Sequence, residues 1–271
     1  MRAMLGYRRC MANEHLIEML DLDAEVLHEY FRDLIGWVGR EAADRPRVVD
    51  LGAGSGTGSL ALARELPGST ITAVDVSAEM LAHLRSRADT AGLGDRIRTV
   101  EADLDQPWPD LGPTDVIWAA SSMHHLANPG QALASAFGAL RPGGLLVIAE
   151  LDSFPRFLVS TPDEGVEERG HAETAKRRHE AGLHMHENWG DRITHAGFRE
   201  VTERHFDIDL RPPLPAAAAR YAEVCLGRMR HGLDGRLSSS DLVTLEKIVA
   251  GLAGRDDLSV RTERTVWLAR P

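Results

Sequence analysis

The stretch that decides the fold is Val48-Val49-Asp50-Leu51-Gly52-Ala53-Gly54-Ser55-Gly56-Thr57-Gly58. A short apolar run ends in an acidic residue, and glycines then alternate with small residues. Alternating glycines let the backbone turn tightly after a strand and bring main-chain N–H groups close to a ligand. Residues 59–66 have a helical pattern, and the amides at the start of a helix favour an anionic group. The stretch therefore predicts a strand, a cofactor-binding loop and a helix.

The register of these glycines argues against a dinucleotide fingerprint. The pattern Gly-x-Gly-x-x-Gly/Ala must follow the strand directly, and counting from Gly52 puts its third position on Thr57. Gly56, Gly58 and Ala61 fit nominally, but they come several residues late for a strand that ends near Leu51. A dehydrogenase is therefore the least favoured function.

Strands and helices alternate on both sides of this loop. The predicted strands are 47–51, 70–75, 96–101, 114–119, 144–150, 199–210 and 259–269, and the predicted helices include 57–66, 77–91 and 129–140. The first five strands are apolar runs, as is typical of a parallel sheet buried on both faces. The alternation predicts an α/β, doubly wound, mostly parallel seven-stranded sheet that binds ligands at the carboxyl ends of its strands.

Five motifs at the predicted strand ends occur in the order and spacing of a known family. They are Asp50-x-Gly-x-Gly-x-Gly, Val74-Asp75-Val76-Ser77, Glu101-Ala102-Asp103-Leu104, the strand 114–119, and Leu140-Arg141-Pro142-Gly143-Gly144 with the apolar run after it. Residues 45–151 thus resemble class I S-adenosylmethionine-dependent methyltransferases. The resemblance implies a Rossmann-like fold, S-adenosylmethionine as cofactor and S-adenosylhomocysteine as product.

The acid at the end of the second strand is the strongest candidate for a cofactor contact. Asp75 lies about 20 residues after the glycine loop, the spacing that a ribose-binding carboxylate needs. The alternative is a charge at the N-terminus of helix 77–91. Val76 and Met80 resemble the family's apolar contacts to adenine and ribose, although Met80 also fits the core.

The resemblance implies further cofactor contacts at three other strand ends. Asp103 and the Leu104 amide are expected at adenine, whereas a turn role is the alternative for Asp103. Asp50, Gly52, Ala53 and Gly54 are expected along the methionine end and ribose. Ala119 and Ser121 are expected near the sulfonium.

Two adjacent histidines follow the fourth strand, where the methyl acceptor is expected. Imidazole titrates near neutrality, so His124 or His125 is a candidate general base for an alcohol or amine acceptor. A structural or cofactor-loop role is the alternative for both. Glu150 and Asp152, at the end of the fifth strand, are candidates for contact with a polar substrate.

A second group of histidines lies in the polar stretch 152–186. It comprises His171, His179, His184 and His186, with several glutamates nearby. Without ligands at a recognised spacing, this group predicts solvated surface or pocket lining, and we expect no metal site. The basic segment 169–179 is read as a solvated helix face.

The predicted organisation is a helical cap at 1–45 and a methyltransferase domain at 46–271. Insertions at about 152–186 and 211–257 interrupt the domain and predict a substrate lid or subunit contact, which leaves a homodimer open. The helical pattern of the N-terminal region covers 12–43.

Composition favours a small-molecule enzyme of the cytoplasm. The net charge of −10 argues against a nucleic-acid-binding face, and Cys10 and Cys225 are too few and too far apart for a disulfide framework. No segment is apolar enough for a signal peptide or a membrane span. The alternatives are methylation of RNA or protein, motivated by segment 169–179, and a non-catalytic methyltransferase-like binding protein.

Overall fold

The sheet predicted from the sequence is present. The computed structural model describes residues 15–185 and 187–271, and its seven strands lie in the order β3-β2-β1-β4-β5-β7-β6. The strands are β1 (Arg47–Leu51), β2 (Thr70–Asp75), β3 (Ile97–Glu101), β4 (Thr114–Ala120), β5 (Leu140–Leu151), β6 (Glu200–Leu210) and β7 (Val260–Arg270). Strands β1 to β5 pair in parallel, and β7 pairs antiparallel with β5. This confirms the doubly wound, mostly parallel seven-stranded sheet.

The helices follow the predicted alternation. They are α1 (residues 15–26), α2 (His28–Glu41), α3 (Thr57–Glu65), α4 (Ala78–Thr90), α5 (Pro129–Ala139), α6 (Glu164–Glu180), α7 (Trp189–His195), α8 (Ala218–Gly232) and α9 (Ser239–Gly251). Within the described chain, none of these helices has the length and apolar character needed to cross a membrane. The described residues do not include Cys10, His186 or residue 12, where the predicted N-terminal helical pattern begins.

The described chain forms two compact units. The sheet unit consists of residues 29–152, 182–206 and 264–271, and the helical unit consists of residues 15–28, 153–181 and 207–263. The helical unit thus draws on both predicted insertions. The lid or subunit-contact role of these insertions, and the cap at 1–45, stay predictions.

Local sequence explains where α4 and α5 begin. The Ser77 hydroxyl accepts a hydrogen bond from Met80 N (3.3 Å), so Ser77 is the N-cap of α4. The Asn128 side chain accepts from Gln131 N (3.2 Å), and Pro129 takes the first helical position, where its missing N–H leaves no acceptor unpaired. Each cap begins a helix directly after a loop at the carboxyl edge of the sheet.

The start of β5 differs from the prediction. Helix 129–140 and strand 144–150 were expected, with Pro142-Gly143-Gly144 between them, but α5 ends at Ala139 and β5 begins at Leu140. The pairing register shifts between Thr114 and Val116, where β4 partners Leu140 and then Leu145. Gly143 has a φ of +78° within this bulge. Pro142-Gly143-Gly144 therefore lies in a bulge inside β5 and does not separate the helix from the strand.

Gly56 is the glycine on which the loop geometry depends most directly. It has a φ of +88°, and a Cβ added there would lie 2.3 Å from Leu84 Cγ on α4. Leu84 is fully buried, so its side chain cannot move aside without disturbing the core. Gly56 therefore lets the glycine loop pack directly against α4.

We expect Gly56→Ala to lower the free energy of unfolding by about 2–4 kcal/mol, as the sum of left-handed backbone strain and overpacking. The matched control is Gly92→Ala, because Gly92 has a φ of +68° and nothing within 4 Å of an added Cβ. That control should lose only the backbone contribution, about 1–2 kcal/mol. Urea denaturation of both variants measures the difference, and equal losses would contradict the packing account.

Candidate active site

The Asp75 carboxylate links the glycine loop to the end of β2. Its Oδ2 accepts a hydrogen bond from Gly54 N (2.9 Å), and its Oδ1 accepts from Ser77 N (2.8 Å). A carboxylate has lone pairs for about four hydrogen bonds, so two bonds leave capacity for further donors. The structure therefore holds Asp75 in a fixed orientation at the carboxyl edge of the sheet, with acceptor capacity remaining.

The glycine loop is tied to β2 and to the segment after β4. Gly52 N and Ala53 N both donate to Val74 O (2.8 and 2.9 Å), and the Ser122 hydroxyl donates to Leu51 O (2.8 Å). Gly52 has a φ of +69°, and a Cβ there would lie 2.5 Å from Ser122 Cβ. Glycine at 52 thus permits a close approach between the segments after β1 and β4.

The residues predicted to contact the nucleoside differ in how far they are exposed to solvent. Val76 is 67% exposed, an unusual position for a large apolar side chain directly after a buried strand, whereas Met80 is buried. Asp103 is exposed and its Oδ1 accepts from Asp105 N (3.0 Å). Leu104 is buried and its carbonyl accepts from Trp108 Nε1 (3.2 Å). The core alternative for Met80 and the turn alternative for Asp103 both fit these contacts, so their cofactor roles stay predictions.

The residues after β4 lie near the glycine loop. Ala119 is fully buried in β4. Ser121 has a φ of +51°, and its N–H donates to Ala149 O of β5 (2.7 Å). A non-glycine residue in the left-handed region is a strained conformation that often marks a functional loop. Ser121 is therefore consistent with the predicted cofactor-lining segment.

Asp50 lies in β1 beneath the glycine loop and is 2% exposed. The Ser59 hydroxyl of α3 donates to its Oδ2 (2.6 Å). The pKa of Asp50 is raised to about 7, chiefly by burial and in smaller part by the nearby Asp75 charge, while the Ser59 hydrogen bond opposes the shift. Asp50 therefore orders the start of α3 as a largely neutral acid below pH 7.

The raised pKa of Asp50 predicts a pH-dependent stability. Between the ordinary pKa and about 7, the folded protein holds a proton that the unfolded chain has lost, so this contribution falls as pH rises through that window. Relative to Asp50→Asn, which is neutral throughout, wild-type unfolding free energy should fall by about 1 kcal/mol per pH unit from about pH 4 to 7. Urea denaturation at both ends of the window measures this. A difference between the proteins that does not change with pH would contradict it.

A buried histidine–glutamate pair joins the ends of β4 and β5. His124 Nδ1 lies 2.6 Å from Glu150 Oε2, and Glu150 Oε1 accepts from Met123 N (2.9 Å). The His124 and Glu150 side chains are 6% and 5% exposed. Because both oxygens act as acceptors, we assign the imidazole proton to Nδ1, which makes Nε2 the basic nitrogen. The structure thus brings these two sequence-predicted candidates together, and a substrate contact by Glu150 stays a prediction.

The other candidates at this edge have different environments. His125 is exposed, with its ring centroid 4.1 Å from that of His124. Asp152 Oδ2 accepts from the Thr265 hydroxyl (2.6 Å) and lies 3.4 Å from His205 Nδ1. His184 Nδ1 pairs with Glu187 Oε1 at 2.9 Å. Across residues 15–185 and 187–271, no three His, Cys, Asp or Glu side chains are grouped to hold a metal ion.

Comparison with known proteins agrees with this geometry. The methyltransferase-domain family matches residues 48–144. The release factor glutamine methyltransferase of Chlorobaculum tepidum is 40% identical over 98 residues, 35% of this chain and 33% of that protein. The demethylmenaquinone methyltransferase of Thermus thermophilus is 35% identical over 111 residues, 41% and 49% of the two chains. The 27-O-demethylrifamycin SV methyltransferase of Amycolatopsis mediterranei is 30% identical over 118 residues, 43% and 42%.

Solved structures share the fold over most of the chain. The YcgJ protein of Bacillus subtilis has a TM-score of 0.54 at 15% identity and covers 87% of this chain and 97% of its own. The [4+2]-cyclase SpnF has a TM-score of 0.52 at 19% identity and covers 89% and 80%. At these identities the likeness establishes the fold alone.

Residues 48–144 are similar to the methyltransferase-domain family, and the named relatives support a domain of the class I S-adenosylmethionine-dependent type there. The matched region begins at the first strand and ends in the β5 bulge, so it contains the glycine loop, Asp75 and the His124 segment. The matched segments span about a quarter to a half of the lengths of the first curated relatives. The helical unit contributes no residue to the matched region.

The observed residues fit a nucleoside with a cationic tail. The fixed Asp75 carboxylate offers acceptor capacity for vicinal hydroxyls, and the adjacent exposed Val76 offers an apolar contact for a base. The buried Asp50 acid lies beneath the loop expected to hold the methionine end. An acid whose pKa lies near neutrality can ionise when a cation is placed nearby. The donor and acceptor set therefore fits S-adenosylmethionine.

Proposed function

We propose that this protein transfers a methyl group from S-adenosylmethionine to a small-molecule acceptor and releases S-adenosylhomocysteine. The observation that carries the proposal is the Asp75 carboxylate, held by Gly54 N and Ser77 N beside the exposed Val76. The family of residues 48–144 supports the same cofactor. Asp75 would bind the ribose hydroxyls, Val76 and Met80 the adenosine, and Asp103 with the Leu104 amide the adenine edge.

The remaining cofactor contacts follow from the loop geometry. Gly52, Ala53 and Gly54 would lie along the ribose and methionine portions, with Asp50 ordering the loop from below. Ala119 and Ser121 would lie near the sulfur. When bound, S-adenosylmethionine supplies a methyl group activated by a positively charged sulfur. The protein's principal contribution is to hold the acceptor atom in line, because orientation alone accounts for much of such a rate enhancement.

His124 is the proposed general base. Glu150 fixes its Nδ1 proton and ring orientation through the 2.6 Å contact, and Nε2 is then the nitrogen that accepts a proton from an alcohol or amine acceptor. Glu150 is a positioning residue in this proposal. His125, which is exposed, would act on the acceptor side as a contact rather than as the base.

The net charge of the chain and the names of two relatives support a small-molecule acceptor. Two of the relatives are named for demethylmenaquinone and 27-O-demethylrifamycin SV, which are small molecules. The net charge of −10 disfavours the phosphate contacts on which nucleic-acid affinity depends. The release factor methyltransferase match concerns a protein acceptor and keeps protein methylation as the second candidate.

A label-transfer experiment distinguishes these functions. The purified protein is incubated with S-adenosylmethionine labelled in the methyl group and a cell extract separated into dialysable and macromolecular fractions. The proposal expects label in a new dialysable compound that is separated from S-adenosylmethionine by chromatography, and none in macromolecules. Label in protein or RNA would contradict a small-molecule acceptor and support methylation of a macromolecule. S-adenosylhomocysteine binding without label transfer to either fraction would favour a non-catalytic binding protein or another activity on the same fold.

A further inference from the structure

The helical unit contains a basic helix face that is partly buried. Sequence reasoning read segment 169–179 as solvated, and this interpretation holds for Lys176, Arg177 and His179, which are exposed. It is wrong for His171 and Arg178. One face of α6 carries Glu167, which is fully buried, together with His171 and Arg178, at helix positions i, i+4 and i+11 respectively. This face of α6 therefore carries three polar side chains where an apolar stripe is usual.

Arg178 is stacked but lacks a hydrogen-bond acceptor. Its guanidinium carbon lies 3.5 Å from the centroid of the Phe154 ring, and its buried NH1 atom has no hydrogen-bond partner among the described residues. Stacking engages the face of the guanidinium and leaves its in-plane N–H donors available. A buried donor without an acceptor is unfavourable. The NH1 edge of this cation therefore has no acceptor among the described residues.

Other arginines of the same unit are paired differently. Arg169 forms a two-pronged contact with Asp241 (2.6 and 3.2 Å), and Arg255 and Arg236 pair with Asp163 and Glu180. Their partners are carboxylates on neighbouring segments. These arginines pair with carboxylates whether they are exposed, like Arg169, or partly buried, like Arg255, whereas the described contacts of Arg178 include no carboxylate.

The surroundings of Arg178 add positive charge and little negative charge. Burial lowers the pKa of Arg178 to about 10, with further contributions from Arg177 and Arg228. Glu167, the nearest acid on the same stripe, already accepts from Phe157 N (2.7 Å) and Leu158 N (3.0 Å). His171 Nε2 is buried without a hydrogen-bond partner in the described chain. Unsatisfied donors and repulsion between neighbouring cations are both relieved by an anion.

We propose that the helical unit binds an oxyanion, a carboxylate or phosphate group of a small acidic molecule, at Arg178. The Phe154 ring holds the guanidinium plane, the fork donates to two oxygens, and Arg228 and His171 lie on α8 and α6 of the same unit. A planar fork matches a carboxylate or phosphate in a two-pronged geometry that lysine cannot reproduce. The site stands on contacts within the helical unit and is independent of the proposed cofactor site.

The test is calorimetric titration of the full-length protein with inorganic phosphate and, separately, with succinate, at constant ionic strength. We expect saturable binding of at least one probe, weakened at least tenfold by Arg178→Gln and by Arg178→Lys. Arg169→Gln is the matched control, because it removes an exposed arginine of the same helix and should leave the affinity unchanged. The preferred probe distinguishes a phosphate ligand from a carboxylate ligand.

Binding of S-adenosylhomocysteine to the same samples separates this site from the proposed function. Failure of both probes to saturate wild type, or equal affinity in wild type and Arg178→Gln, would overturn the oxyanion site even if the nucleoside binds. Saturable, Arg178-dependent oxyanion binding in a protein that does not bind the nucleoside would support the site while the proposed function fails. Folding is checked by denaturation, and we expect Arg178→Gln to unfold no earlier than wild type, because it removes an unpaired buried donor.

Discussion

Replacement of Asp75 by alanine is expected to weaken S-adenosylhomocysteine binding by at least about 100-fold. A carboxylate hydrogen bond contributes about 1.5–3 kcal/mol, so loss of two ribose contacts amounts to about 3 kcal/mol or more, and every 1.4 kcal/mol is tenfold in affinity. The same change removes the acceptor for Gly54 N and Ser77 N, so the glycine loop also loses one of its hydrogen bonds to β2. Calorimetric titration measures the effect.

Asp95→Ala is the matched control for Asp75. Asp95 is an exposed acid in the short turn that precedes β3, at the amino edge of the parallel sheet and thus at the opposite end from the ligand edge. Its removal should leave the affinity within about twofold, consistent with the small effects of exposed substitutions. Equal affinities for wild type and Asp75→Ala would show that the acid at the end of β2 does not bind the nucleoside.

Replacement of His124 by alanine is expected to lower kcat for an alcohol or amine acceptor by about 100-fold or more, since general-base catalysis contributes roughly 10²–10⁴. Glu150→Gln should lower kcat less, because it keeps the shape of the pair but changes the acceptor that fixes the Nδ1 proton. S-adenosylhomocysteine affinity should change little in either variant. Steady-state rates with the acceptor found by label transfer measure the effect.

The effects on kcat and on cofactor affinity together separate a base from a structural residue. Loss of a base should lower kcat and leave S-adenosylhomocysteine affinity unchanged, whereas loss of a structural residue should lower both. His125→Ala serves as the control from the neighbouring position and should lower kcat far less than His124→Ala. Full turnover by His124→Ala with saturating acceptor would contradict the base assignment and favour the structural alternative.

The sheet was predictable because each early strand is an apolar run that ends in a recognisable polar or glycine motif. Asp50 and Asp75 end two such runs, so their positions at the carboxyl edge follow from the chain alone. The start of β5 at Leu140 was not predictable. It depends on a register shift against Thr114 and Val116, which is a property of the pairing with β4 and leaves no periodic pattern in the sequence.

The partners of the candidate site residues were less accessible to sequence reasoning. His124 and Glu150 are separated by 26 positions and meet only because β4 and β5 pair in parallel. A signal was present, since both residues follow the ends of adjacent strands. For Arg178, segment 169–179 lacks apolar periodicity, so no rule based on hydrophobic patterns could distinguish its partly buried face from a solvated one.

The most direct test of the central claim is calorimetric titration of the wild-type protein with S-adenosylmethionine, S-adenosylhomocysteine and NAD. The site geometry predicts saturable binding of both sulfur compounds at one site per chain and no saturable binding of NAD. Absence of binding by both sulfur compounds, in protein shown to be folded by a cooperative denaturation curve, would contradict the assignment of the glycine loop and Asp75 to this cofactor.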